Sequence, residues 1–323
     1  MDAEKLLKGF SVEETHELAA ALPEDVLLDE VVRRGIEVPA AVGATASQGA
    51  GLEVETSVAV PEVDAETTER LEGLPADYRE QVVTRYEQKR QAVARQIKDG
   101  TLPENYQLPE LSTFVERVVA LAPTHEVMPK KDWQPEVVFV PKGLSLEQWD
   151  VLLTGHELGN DSKSAGAYRT WTGHEVVDQA SEADGNLWGV AVISATDRPV
   201  LTNVSKDGKN GSNAKQAVKA LSELPSVTDT SSAEAVVKQA SPTEERYFAL
   251  QLARMERGEK PVDAETWTLG KEDIKVGGAL RSLYFGFNPD SRQVGSYWRG
   301  RDGSSVGGGV RPSVGDEDLV LNS

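Results

Sequence analysis

The sequence predicts an α+β protein whose helices come first and whose sheet comes last, and three observations carry that reading. Apolar residues recur at helical spacing from Asp64 to about Ala122. Short β-branched runs begin at Glu136, and from Trp267 the chain breaks into brief segments, WTLG, ALRSLYFGF, QVGSYW, VGGGVRPSV and DLVLN, divided by glycines and Asp-Gly turns. At 323 residues there is room for roughly two domains of about 100 to 200 residues each.

Taken in order, residues 1–63 read as short acidic helices followed by a flexible linker. Ser11 with Glu14 forms a capping box, and Leu18, Leu22, Val26 and Leu27 follow before Gly35; from residue 36 the Ala, Gly, Ser, Thr and Val content shows no period. Residues 64–122 read as a helical hairpin. Tyr78, Val82, Val83, Tyr86, Val93 and Ile97 share one face up to Gly100, and Leu111, Phe114, Val115, Val118, Val119 and Leu121 share another that Pro123 is expected to close.

Residues 123–323 form the third region. EVVFVPKG is a buried-strand run, Ser145 caps a helix holding Leu146, Trp149, Leu152 and Leu153, and NLWGVAVISA is the next strand. Leu201 and Val204 suit a short strand, and helices are expected at 212–221 and 231–240. Ser241, Pro242 and Glu244 predict a capped helix with Pro at its first position, burying Tyr247, Phe248, Leu250, Leu252 and Met255 up to Gly258.

Composition removes several function classes. A net charge of −19 argues against a phosphate backbone or an anionic membrane as partner. The absence of cysteine removes disulfides, thiolate metal sites and thiol nucleophiles. The N-terminus lacks the pattern of a signal peptide and no run approaches eighteen apolar residues, so a cytoplasmic protein without membrane insertion is expected, export by a dedicated system aside.

Motifs for chemistry are sparse. Thr-Gly-His-Glu occurs at Thr154 and again at Thr172, and His174, Glu175 and Asp178 give an HExxD pattern in which Asp replaces the second zinc-binding His of metalloproteases. A metal-dependent hydrolase using His156, Glu157, His174, Glu175 and Asp178 is therefore one alternative. A structural or assembly protein acting through the helical half is another. No EF-hand spacing, phosphate-cradling loop or Gly-x-Ser-x-Gly elbow occurs, so no cofactor is expected and an enzyme has no nominated site.

The segment from Tyr284 to Ser305 is crowded with Tyr, Phe, Trp, Arg, Ser and Gly, the residue types of adaptable binding surfaces. Strand alternation in LRSLYFGF puts Leu283, Phe285 and Phe287 on one face and Ser282, Tyr284 and Gly286 on the other, so about half the rings should pack inward.

DAETWTLG, SYWRGRDGSS and GGGVRPSVG together resemble the end of C-type-lectin-like domains, in the branch shared by formylglycine-generating-type domains and the variable proteins of diversity-generating retroelements. The likeness covers about fifty residues, extends more loosely back to residue 136, and leaves residues 1–122 uncovered. The enzyme branch of that superfamily depends on active-site cysteines, which this chain lacks. The resemblance therefore implies the binding branch, in which template adenines become any base and Asn codons turn into Tyr, Ser, Arg, Gly, Asp or Phe. It implies noncovalent contact with a protein or surface ligand through Tyr284, Phe285, Phe287, Asn288, Asp290, Ser291, Arg292, Ser296, Tyr297, Arg299, Arg301, Asp302, Ser304 and Ser305. Trp298, Gly309, Val310, Arg311 and Pro312 would be scaffold.

Overall fold

A computed structural model of the chain describes residues 64–74, 76–128, 133–154, 166–169, 176–177, 187–202, 212–276, 278–299 and 308–320. The helices and linker expected before residue 64 lie outside them. Helix and sheet are mixed, as an α+β reading requires.

Three helices open the described part: α1 (Ala65–Glu72), α2 (Ala76–Lys98) and α3 (Leu111–Val127). Asp64 caps α1, its carboxylate accepting from the Thr67 amide at 2.7 Å. Helix α3 does not stop at Pro123 but runs through it. Pro123 is exposed, so its ring lies on the solvent side of the helix, away from the packed face.

Strand β1 (Pro135–Pro141) leads to α4 (Leu146–Thr154). That helix begins at a reciprocal capping box: the Gln148 amide donates to Ser145 Oγ at 3.2 Å and the Ser145 amide donates to Gln148 Oε1 at 2.8 Å. Next come β2 (Gly166–Arg169), β3 (Val176–Val177), β4 (Trp188–Ser194), β5 (Leu201–Thr202), α5 (Ser212–Leu221), α6 (Ala233–Ala240) and α7 (Glu244–Glu256). Helix α7 is capped by Thr243, so Pro242 stands before the cap and not at the first helical position. Tyr247, Phe248, Leu250, Leu252 and Met255 are buried as expected, and Arg246, Ala249 and Gln251 are buried with them, which makes α7 a central helix wrapped on all sides.

The chain ends in β6 (Trp267–Val276), β7 (Ala279–Asn288), β8 (Gln293–Arg299), β9 (Gly308–Val310), β10 (Ser313–Gly315) and α8 (Asp316–Val320). DLVLN was expected to be a strand, yet its first residues belong to α8. Three successive carboxylates, Asp316, Glu317 and Asp318, fall in the first helical turn, where the helix dipole favours them. Three cations receive them, of which Arg246 is fully buried. The Arg246 guanidinium meets Glu317 and, at 2.8 Å, Asp318; Lys271 reaches Asp318 at 2.6 Å; Arg117 reaches Asp316 at 3.1 Å. Burial and the bond to Glu317 push the Asp316 carboxyl up to about 6, whereas Arg246 holds Glu317 well below the usual carboxylate range against the effect of burial.

Two sheets result. In the smaller, β1 and β10 flank β4, both antiparallel to it. In the larger the order is β2-β8-β7-β6-β9-β5, with β3 on the far half of β6; β6, β7 and β8 form an antiparallel meander, and β2 joins β8 in parallel. Helices α1–α3 bury Leu71, Tyr78, Val82, Tyr86, Phe114, Val118 and Leu121 in the same core that holds Val138, Val192, Phe248 and Phe285. The change of sequence pattern near residue 122 is therefore no boundary in packing, and the apolar faces of the expected hairpin are occupied by their own fold.

One buried ion pair sits where the sheets meet. The chain leaves the large sheet at Val310 and enters the small one at Ser313, and Arg311 between them has 0% exposure, as does its partner Asp263 at 3.0 Å. The second guanidinium nitrogen donates to the carbonyls of Ser194 (2.6 Å) and Thr196 (2.8 Å), and Nε donates to Thr268 Oγ1 (3.3 Å). Asp263 also accepts from the hydroxyls of Thr266 (2.9 Å), Thr268 (2.5 Å) and Tyr247 (3.1 Å). Its own backbone is left-handed, φ 59°, with its carbonyl accepting the Phe287 amide at 3.2 Å. Both charges thus have their lone pairs and protons answered, the condition under which a buried pair is tolerated.

Arg311→Leu leaves the Asp263 carboxylate buried without a counter-charge, and should cost about 3–5 kcal/mol in urea unfolding. Arg198→Ala removes an exposed pair with Glu265 and should cost at most about 1 kcal/mol. Equal costs would contradict the assignment.

Candidate functional site

The β7–β8 hairpin divides the expected contact residues between two faces. Register places Phe285 opposite Ser296, Leu283 opposite Trp298 and Phe287 opposite Val294, and all but Trp298 are buried. Between these positions lie Tyr284 opposite Tyr297 and Gly286 opposite Gly295, on the other face.

Three expected contact residues therefore move to the core. Phe285 has 0% exposure; its ring stacks on Tyr247 of α7 at 5.1 Å and lies against Gly270, where an added Cβ would come within 2.7 Å of it. Phe287 is buried beside Val294. Ser296 is buried and donates its hydroxyl to Glu244, the first residue of α7. The alternation readable in LRSLYFGF assigned Phe285 and Phe287 correctly to the inner face, and that geometry overrides the compositional argument that made them ligand contacts.

The outer face carries an aromatic group that composition alone does not reveal. Gly286 and Gly295 stand side by side and leave the sheet bare. A Cβ at Gly286 would fall 2.8 Å from the Trp267 ring, and one at Gly295 would collide with the Tyr168 ring, so two rings from neighbouring strands lie over the two glycines. Tyr297 stands edge-on between them, at 4.0 Å and 90° to Trp267 and at 5.1 Å and 86° to Tyr168. Tyr284 is directly opposite Tyr297, and Leu269 of β6 is opposite Tyr284. Tyr168, Trp267, Leu269, Tyr284 and Tyr297 are half-buried. Burial pushes the Tyr168 phenol up to about 12, so that ring is neutral at physiological pH.

The turn between β7 and β8 presents the polar candidates. Asn288 spends its side-chain oxygen on the amides of Asp290 (2.9 Å) and Ser291 (3.3 Å), an Asx turn that closes the hairpin. Asp290 and Ser291 are exposed, and Arg292 is half-buried with a left-handed backbone, φ 57°. Arg299 pairs through its backbone with Ser282; its side chain, and Arg301, Asp302, Ser304 and Ser305, lie outside the described residues.

Among the scaffold candidates, Val310, Arg311 and Pro312 are buried, as is Gly309. Trp298 is half-buried with the Arg281 guanidinium 5.6 Å from its ring centre. Tyr168 was missed as a contact candidate because it joins the face through a parallel pairing with a strand remote in sequence, and Trp267 because it lies on β6, before the aromatic-rich segment.

Beneath the sheet, Glu244 ties β8 to β2, accepting from Ser296 and from Arg169. Its amide donates to Glu272 of β6 at 3.1 Å, and the other Glu272 oxygen is buried without a hydrogen-bond partner. The His156, Glu157, His174, Glu175 and Asp178 set lies outside the described residues, and among the described residues no cluster of acidic or imidazole side chains could hold a metal. No helix among them is long and apolar enough to cross a membrane.

Comparison with known proteins adds no relative: no family model, curated protein or solved structure matches the chain.

Burial and the neighbouring Glu244 push Glu272 up to about 7. The folded state holds this proton more tightly than the unfolded chain, so stability falls as pH rises from the ordinary glutamate range towards 7. Glu272→Gln should leave Tm nearly unchanged at pH 5 and raise it at pH 8, by about 2–4 °C per kcal/mol relieved. A lower Tm at pH 8 would contradict this account of Glu272.

Proposed function

We propose that this chain is a noncovalent ligand-binding protein, presenting a diversified side-chain surface on a C-type-lectin-like scaffold as the variable protein of a diversity-generating retroelement. The observation that carries the reading is the division of roles across the β7–β8 hairpin. Inner positions Leu283, Phe285, Val294 and Ser296 are buried, while Tyr284, Tyr297, Asp290 and Ser291 stand on the outer face or the turn. A surface that tolerates variation requires that separation, because a residue exchanged at an outer position leaves the core untouched.

The mechanism is recognition without chemistry. Rings held edge-to-face over bare glycine backbone lose little freedom on contact, and Tyr, Trp and Arg are the side chains that dominate binding energy in protein interfaces. Ser and Asp at the turn add adaptable hydrogen bonds. The partner is a protein or other surface ligand, and the net charge of −19 disfavours nucleic acid. Support for the scaffold comes from the buried Val310–Arg311–Pro312 passage between the sheets.

The flanking DNA tests this reading. A near-copy of the codons for residues 280–310, differing only at template adenines and close to a reverse transcriptase gene, is expected. Absence of both would remove the retroelement role.

A further inference from the structure

One arginine stands apart from the others. Among the described residues, every other arginine whose side chain is described enters a hydrogen bond or an ion pair, from Arg70 on Glu66 to Arg311 on Asp263. Arg281 of β7 enters none. Acidic residues outnumber basic ones in this chain by 53 to 34, so its lack of a carboxylate partner does not reflect a shortage of acids. An arginine left without a polar partner calls for a reason.

Register shows where its guanidinium sits. Leu283 faces Trp298 across β7 and β8, and Arg281, two residues earlier, faces Ile274 across β6 and β7, so all four share the inner face of the meander. Leu283 and Ile274 are buried, whereas Arg281 and Trp298 are half-buried where the core gives out. The guanidinium carbon lies 5.6 Å from the centre of the Trp298 ring, within the range of a cation–π contact. Nε is shut off from solvent without a hydrogen-bond partner, but the two terminal nitrogens are neither shut off nor bonded. The indole N–H of Trp298 is likewise open and unbonded. Ala279, next along the same face, is exposed, so this end of the hairpin admits a partner.

We propose that Arg281, stacked on Trp298, is a second binding site, on the opposite face of β7 from Tyr284, and that it takes a carboxylate of a partner protein. The terminal nitrogens of a guanidinium form a planar fork that matches the two oxygens of a carboxylate, and both resulting bonds are charge-assisted. The ring beside it and the enclosed Nε hold that fork in place before the ligand arrives, so little freedom is lost on binding. Trp and Arg are also the side chains that dominate the energy of protein interfaces.

The test is an NMR titration of the isotope-labelled full chain at constant ionic strength with two peptides. One is a glycine peptide with a single glutamate, blocked at both ends; the other is an acetylated glycine peptide with a free C-terminus; a glycine peptide blocked at both ends is the control. Saturable shifts of the Arg281 Nε–H and Trp298 indole N–H signals are expected with a carboxylate peptide and not with the control, and the peptide that acts names the source of the carboxylate. Arg281→Lys keeps the charge without the fork and should weaken binding, followed at the indole, by about fivefold or more. Lack of a saturable shift with both carboxylate peptides, an equal shift with the control, or unchanged affinity in Arg281→Lys would overturn the proposal. Tighter binding of inorganic phosphate at the same ionic strength would overturn it as well.

Discussion

The structure turns on the Arg311–Asp263 pair. Both partners are excluded from water, a placement that costs several kcal/mol per ion unless every polar atom is answered. Here the answers come from three separate stretches of chain: the end of β4 with the residues just after it, helix α7 and the start of β6 with the residue before it. An apolar contact at this position would tolerate sliding. A guanidinium that must meet two carbonyls, a hydroxyl and a carboxylate together fixes the relation between the two sheets.

The outer face follows from that constraint. With β6, β7 and β8 held against α7 by the Tyr247–Phe285 stack and by Glu244 on Ser296, one side of the meander is committed to the core. The other side is then free to carry rings. Gly286 and Gly295 are what allow Trp267 and Tyr168 to lie flat enough for Tyr297 to stand between them, and a side chain at either glycine would displace a ring. A second charged clasp, Arg246 and Lys271 on the carboxylates of α8, closes the chain's last helix onto α7 and β6.

Local pattern made much of this legible. The alternation in LRSLYFGF separated Phe285 from Tyr284, and the capping logic at Ser145 located a helix start. What failed did so where tertiary partners decide. DLVLN has the short apolar run of a strand, yet its one acidic residue, Asp318, meets Arg246 and Lys271, which are remote in sequence. Pro123 was read as a stop because local rules cannot see that it faces solvent. Tyr168 reaches the aromatic face through a parallel pairing with β8, a contact across more than a hundred residues that leaves no periodic trace. The Arg311–Asp263 pair is equally silent, since neither residue type at such a spacing distinguishes a buried hub from two surface charges.

The central claim is that one face of the β7–β8 hairpin can vary while the other cannot. Two libraries of the full chain measure this directly, one randomised at Ser282, Tyr284, Arg292 and Tyr297, the other at Leu283, Phe285, Val294 and Ser296, each sorted for resistance to protease. The account predicts that a large share of the first library stays folded and that few members of the second do. Equal survival of the two, or better survival of the second, would contradict it.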